Sequence, residues 1–232
     1  MEYGPELDRA TAGHCAVVIR VAGTDTVVLT GGAVRGGIMF NQTTSVTSFS
    51  WLAGEQQPLR LGLSPLLTPR SGHGCALLAG SLYVAGGVRG FREITDTVEV
   101  FRLEDGIKNS VLHDLFAPSD EIPGKWKQLS PLPSPRTGGS LLAKARSLFF
   151  IGGVNYKSRT EKGLRFSNEI LQLAEEDGAW RQNGTTKETV AYHVSFTLDD
   201  FLCAQIKEEY TEFDDEDNLY DDYSGLIDLR VV

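Results

Sequence analysis

The chain has 232 residues, 41% of them hydrophobic, three cysteines and a formal net charge of −9. That is enough for one domain with a sizeable core, and no apolar run nears the roughly 18 residues a membrane-crossing helix needs. The acidic balance argues against nucleic acid as a partner, the odd cysteine count against a disulfide framework, and the acidic N-terminus against a secretory signal; a cytoplasmic, reducing location is the favoured expectation, or a secreted one if the chain is an N-terminally truncated fragment.

In chain order, Gly4-Pro5-Glu6-Leu7 followed by Arg9 reads as the end of a repeat whose first part is missing. Residues 13–63 form a first repeat. Its runs are Cys15-Ala16-Val17-Val18, Val27-Val28-Leu29-Thr30-Gly31-Gly32 and Val46-Thr47-Ser48-Phe49, with a hairpin turn expected at Gly23-Thr24-Asp25. Each run is short, β-branched or aromatic, and bounded by glycine, so each reads as a strand. Residues 64–129 repeat the order: Arg70, then Cys75-Ala76-Leu77-Leu78, Leu82-Tyr83-Val84-Ala85-Gly86-Gly87, Val98-Glu99-Val100-Phe101 and Trp126. Residues 130–182 repeat it again: Arg136, then Leu141-Leu142, Leu148-Phe149-Phe150-Ile151-Gly152-Gly153, Ile170-Leu171-Gln172-Leu173 and Trp180. Counting back from Arg70 as Trp126 counts back from Arg136, the first repeat has Arg60 in the tryptophan slot, and Trp51 lies outside it.

Four short strands per repeat at a period near 50 are the signature of a propeller blade. After Trp180 the pattern decays. Residues 183–206 are expected to be irregular, with one more strand over 191–198. Residues 207–232 are expected to be an acidic tail, disordered over 207–222, which hold nine carboxylates and one lysine, with 226–232 read as either a short strand or a peptide motif. The fold class is therefore all-β, with three to four blades in an incomplete ring over residues 1–206. Its open sheet edges invite self-association.

At these residues the chain resembles the kelch-repeat family of β-propellers. The likeness rests on an Arg before the first strand, a hydrophobic run ending in Gly-Gly, the Val-Glu-Val-Phe strand, and a Trp before a Leu-Pro turn. It implies structural roles for Gly31, Gly32, Gly86, Gly87, Gly152 and Gly153, for Arg70 and Arg136 between blades, and for Trp126 and Trp180 between sheets. It implies a non-enzymatic module that binds another protein. The alternative is a fragment of a propeller enzyme resembling sugar oxidases or epimerases.

The residues themselves add little catalytic chemistry. The glycine pairs are not followed by a Lys-Ser/Thr helix, so no P-loop is present. His14, Cys15, His73 and Cys75 lack zinc-module spacing, and a Cys15–Cys75 disulfide has no support from sequence. No metal and no cofactor are expected. Charge placement says more. The acidic stretch accounts for nearly all of the net charge, and the loops after each Gly-Gly are basic: Arg35 in 33–43, Arg89 and Arg92 in 88–95, and Lys157, Arg159, Lys162 and Arg165 in 154–167. In a propeller such loops share one face. These seven residues are the candidate partner-binding set, and an acidic peptide segment is the candidate ligand, with neither nucleic acid nor membrane.

Overall fold

The computed structural model describes residues 7, 10–21, 24–36, 39–51, 58–91, 93–103, 125–156, 163–174, 178–191, 194–198, 201–207 and 227–231. Every element among them is a β-strand, numbered here in chain order. Sheet 1 is β2 (Cys15–Val21), β3 (Thr24–Thr30), β6 (Val46–Ser50) and β7 (Leu59–Gly62). Sheet 2 is β8 (Gly74–Leu78), β9 (Ser81–Ala85), β12 (Val98–Arg102) and β13 (Lys127–Leu129). Sheet 3 is β14 (Ser140–Lys144), β15 (Ser147–Ile151), β18 (Glu169–Ala174) and β19 (Trp180–Thr185). All three are antiparallel meanders whose spatial order follows the chain. A fourth sheet has three strands, β20 (Val194–Leu198), β21 (Phe201–Lys207) and β22 (Ile227–Val231).

The first hairpin of sheet 2 illustrates how sequence sets the turns. Leu78 pairs with Ser81, so only Ala79 and Gly80 connect the strands. A two-residue connection that matches strand twist needs positive φ at both positions, and these have φ of 47° and 73°. Between the second and third strands of each of the first three sheets lies a smaller hairpin. These are β4 (Ala33–Gly36) with β5 (Met39–Gln42), β10 (Val88–Gly90) with β11 (Glu93–Ile94), and β16 (Val154–Tyr156) with β17 (Leu164–Phe166). Strand β1 (Thr11–Ala12) pairs with β4.

The sheets stack like blades. Strand β8 packs on β2 and on β14, and β14 on β20. Between sheets 1 and 2 lies a core of Ile19, Val28, Val46, Leu82, Val84, Phe101 and Trp126. Between sheets 2 and 3 lies another, with Leu78, Val98, Leu132, Leu148, Phe150 and Leu171. Val84, Leu82, Val98 and Phe150 are fully buried. Each such side chain removed from water contributes about 1.5–3 kcal/mol.

Four expectations are corrected or refined. Cys15 and Cys75 form a disulfide with a Cα–Cα distance of 6.0 Å. Cys15 pairs with Thr30 and Gly74 with Ala85, each opposite the residue before a glycine pair, so the cysteines stand one position apart in the repeat. Side chains alternate along a strand. That odd offset puts one sulfur on the back of sheet 1 and the other on the front of sheet 2, facing each other. Reduced thiols no longer follow from the cysteine count. The tail assigned to 207–232 ends in a short strand, one of the two readings of 226–232: Ile227–Val231 pairs with β21, from Lys207↔Ile227 to Cys203↔Val231. Residues 208–226 lie outside the described residues. Finally, beyond the end of β19, the stretch 183–206 holds two paired strands, β20 and β21, where one was expected, and the first hairpin closes between Val21 and Thr24, ahead of the expected Gly23-Thr24-Asp25 turn.

Candidate functional site

The arginines of the repeat come first, because they position the loops. Arg70 sits in the turn before β8 and is wholly buried. Its carbonyl accepts the Gly32 N–H of sheet 1 at 2.8 Å. Its guanidinium points the other way, into sheet 2. It donates to Gly86 O at 2.7 Å, Thr97 O at 3.1 Å, Thr97 Oγ1 at 2.8 Å and Glu99 Oε1 at 2.5 Å. The Glu99 carboxylate also accepts from Leu67 N and Thr68 N. Burial pushes the Arg70 pKa below its ordinary value, and the Glu99 charge and hydrogen bond oppose that. One residue thus clamps two sheets, by its backbone to one and by its fork of donors to the other.

Arg136 repeats the device between sheets 2 and 3. Its carbonyl accepts Gly87 N–H at 2.7 Å, and its guanidinium donates to Gly152 O, Ser167 Oγ and Glu169. Here the carboxylate sits in the register of Thr97, because Gly86 donates to Thr97 O and Gly152 donates to Glu169 O. The next turn departs from the rule: Gly153 N–H donates to Val190 O, so Val190 stands where an arginine would. The second residue of each Gly-Gly thus carries the link. The first must stay small: a Cβ on Gly86 would collide with the Arg136 carbonyl, and its φ of +69° is costly for other residues.

The tryptophans close the outer ends. Trp126 packs on Phe101 with ring centroids 5.3 Å apart, and its indole N–H donates to Ser64 O at 2.8 Å. Trp180 donates likewise to Ser130 O at 3.1 Å. In sheet 1, Arg60 holds the slot, pairing with Phe49 and placing its guanidinium 5.7 Å from that ring. A cation–π contact therefore replaces an aromatic pair.

His73 lies between the first two sheets beside the disulfide. Its Nε2 is 2.8 Å from Thr30 Oγ1. Burial, helped by the Arg70 and His14 charges, lowers its pKa to about 3, so it is neutral. With both sulfurs bonded to each other and His73 engaged with Thr30, Cys15, Cys75 and His73 are committed to structure.

The candidate binding face is made by the three hairpins. Each follows a glycine pair, and β10 packs against β5. Short bridges tie two of them to the turns that lead into their sheets, Ser71↔Val88 and Thr137↔Val154. Arg35, Arg89 and Arg165 are exposed on β4, β10 and β17. Arg89 forms a 2.5 Å surface ion pair with Glu93. Arg92, Lys157, Arg159 and Lys162 lie outside the described positions. Sequence reasoning did not single out the carboxylates Glu99 and Glu169 or the hydroxyls that organise the hairpin ends. Thr43 Oγ1 accepts Ser45 N–H, Thr95 Oγ1 accepts Thr97 N–H, and Ser167 Oγ accepts Glu169 N–H. The signal was a Ser or Thr two residues before a polar residue, ahead of each third strand.

Comparison with known proteins agrees with this architecture. The Kelch motif profile matches residues 69–107. The solved structure of YjhT superposes with a TM-score of 0.63 at 20% identity, over 87% of this chain and 63% of YjhT. The chain thus spans less than two thirds of the YjhT length. No curated protein matches by sequence.

Proposed function

Because the chain is built on the kelch motif and folds as an all-β, kelch-type partial propeller, we propose that it is a non-enzymatic protein-interaction module that holds an acidic peptide segment on its hairpin face. Kelch repeats generally mediate contacts between proteins. The observation that carries the reading is the placement of exposed Arg35, Arg89 and Arg165 on three successive hairpins anchored to the arginine-clamped frame. The Arg89–Glu93 pair is an obstacle of small size: an exposed pair holds by about 0.2–1 kcal/mol, and an incoming carboxylate can exchange with it.

The chain carries its own competitor. Residues 208–226 are strongly acidic, and β21 and β22 tether them at both ends. A tethered ligand acts at a raised effective concentration. The test is fluorescence anisotropy of a labelled poly-glutamate peptide against the full chain at low and high salt. Arg35→Glu, Arg89→Glu and Arg165→Glu together should weaken binding about tenfold at low salt and flatten its salt dependence. Replacing 208–226 with a neutral linker of equal length should strengthen it. Unchanged affinity in the triple variant refutes the basic face, and unchanged affinity in the linker variant refutes self-competition.

A further inference from the structure

Sheet 1 lacks the clamp that organises sheets 2 and 3. Thr11 pairs with Val34 and Ala12 with Ala33, as Ser71 bridges Val88 and Thr137 bridges Val154. Ala12 therefore matches Ser71 and Thr137, and Thr11 stands where Arg70 and Arg136 stand. Gly31 N–H donates to Ser45 O, as Gly86 does to Thr97 O and Gly152 to Glu169 O. Ser45 therefore matches Thr97 and Glu169. Thr47 lies opposite Leu29 as Glu99 lies opposite Val84. The long cation and its carboxylate are both replaced by short hydroxyl side chains. A cavity of about 260 Å³ occupies that place, lined among others by Thr11, Gly31, Thr43, Ser45, Thr47 and Arg60.

The two occupied copies show what its wall recognises. In sheets 2 and 3 the carbonyl of the first paired glycine accepts guanidinium N–H groups, and so do the hydroxyls of Thr97 and Ser167. Gly31, Ser45 and Thr43 are their counterparts. The charge, however, has changed. Among the described residues no carboxylate lines the cavity, and Arg60 does, so a bare guanidinium would be desolvated there without a counter-ion among them. A carboxylate would suit Arg60 but would meet the glycine carbonyl. A neutral planar group with two N–H donors on one side and an acceptor on the other satisfies both walls. Its donors reach the positions of Gly31 O and the Ser45 and Thr43 hydroxyls, and its oxygen accepts from the Thr47 hydroxyl or Arg60.

The geometry points to a carboxamide pocket on the front of sheet 1 that takes a Gln or Asn side chain of an extended partner segment. The volume leaves room for the aliphatic stem, which Leu29 and Val34 would flank. Val34 belongs to β4, next to Arg35, so the pocket adjoins the proposed binding face. The inference rests on the interaction reading and supplies a specificity element within it.

The probe is N-acetyl-glutamine methylamide, followed by NMR shifts of the Thr43, Ser45 and Thr47 amides in the full chain. The leucine, glutamate and arginine analogues are the comparisons. The glutamine probe should give saturable shifts at concentrations about tenfold lower than the other three. The double variant Thr11→Arg/Thr47→Glu refills the slot as sheet 2 does, and it should abolish those shifts while the rest of the spectrum keeps its dispersion. The milder Thr47→Val should weaken them. Absence of saturable shifts overturns the pocket. Tighter binding of the glutamate or arginine analogue, or shifts that survive slot refilling, overturns the carboxamide assignment. Arg89→Glu and Arg165→Glu should leave the glutamine shifts intact while weakening the acidic peptide, which separates failure of the pocket from failure of the hairpin face.

Discussion

Replacing Glu99 with Gln should be among the most damaging conservative changes in the chain. The substitution keeps shape and removes one charge. Arg70 and Glu99 are 0% and 1% exposed at their side chains, so water cannot compensate the remaining guanidinium. Breaking a buried pair by removing one partner costs about 3–5 kcal/mol. The second clamp supplies an internal control. Glu169 is 37% exposed in its pair with Arg136, and solvent screens it, so Glu169→Gln should cost only about 1 kcal/mol. A double change, Arg70→Met with Glu99→Leu, removes both charges and should recover part of the loss. It will not recover all of it: Leu67 N and Thr68 N lose their acceptor and Gly86 O loses a donor, at about 1–3 kcal/mol for groups left unsatisfied. The assay is urea unfolding of the oxidised protein at neutral pH, read by tryptophan fluorescence. Equal losses for Glu99→Gln and Glu169→Gln would refute the argument from burial. A double variant no more stable than Glu99→Gln would refute the argument from charge.

Three further outcomes are expected. Trp126→Ala should cost about 3–5 kcal/mol, as large aromatic truncations in cores do, while Trp51→Ala, at a position 46% exposed, should cost about 0.5 kcal/mol or less; the same unfolding assay decides, and equal losses would mean the repeat alignment is wrong. His73 binds a proton near its ordinary pKa when unfolded but only near about 3 when folded, so the unfolded chain holds the extra proton between those values. Stability should therefore fall as pH drops below 6.5, by up to about 1.4 kcal/mol per unit, and His73→Gln should flatten that slope between pH 6.5 and 5, where carboxylates contribute least. Reducing Cys15–Cys75, which closes a 60-residue separation, should lower stability by about 2–4 kcal/mol; an unchanged urea midpoint in reductant, with thiols confirmed by labelling, would show that the link carries no stability.

The parts legible in the sequence were those that each repeat satisfies with the same residue at the same offset. The glycine pairs, Arg70, Arg136, Trp126 and Trp180 recur because the junctions between sheets 1 and 2 and between sheets 2 and 3 each use a small residue, a fork of donors and a bulky outer plug. Even the exception at Arg60 could be counted, since its slot is fixed by distance from Arg70. What stayed hidden depended on pairing across strands. Glu99 and Glu169 serve equivalent arginines from positions two residues apart on one strand face, so no fixed offset marks them. The disulfide depends on two neighbouring inner strands facing each other with a one-position stagger, which spacing along the chain does not encode. The vacancy in sheet 1 was readable in principle, as Thr11 and Thr47 in place of Arg and Glu, but only once hydrogen bonds had aligned the turns. Of the candidate binding residues, Arg35, Arg89 and Arg165 stand exposed on the hairpins, while the other four lie outside the described positions.

The backbone link from each second glycine to the following arginine has a consequence for anyone who would cut or shuffle these repeats. A visible sheet is not a transplantable module. A block trimmed to sheet 2, Gly74 to Leu129, would discard Arg70, whose side chain that sheet needs, and Arg136, whose carbonyl receives Gly87 N–H. A block running from Leu67 to Thr137 keeps both, together with the amides that hold Glu99. The natural unit of exchange is therefore staggered, beginning in the turn that its predecessor grips and ending in the turn that it grips itself. Such units should graft onto one another wherever the junction is arginine on glycine. The first junction is the exception, because Cys15 and Cys75 weld its two halves into a single inseparable block.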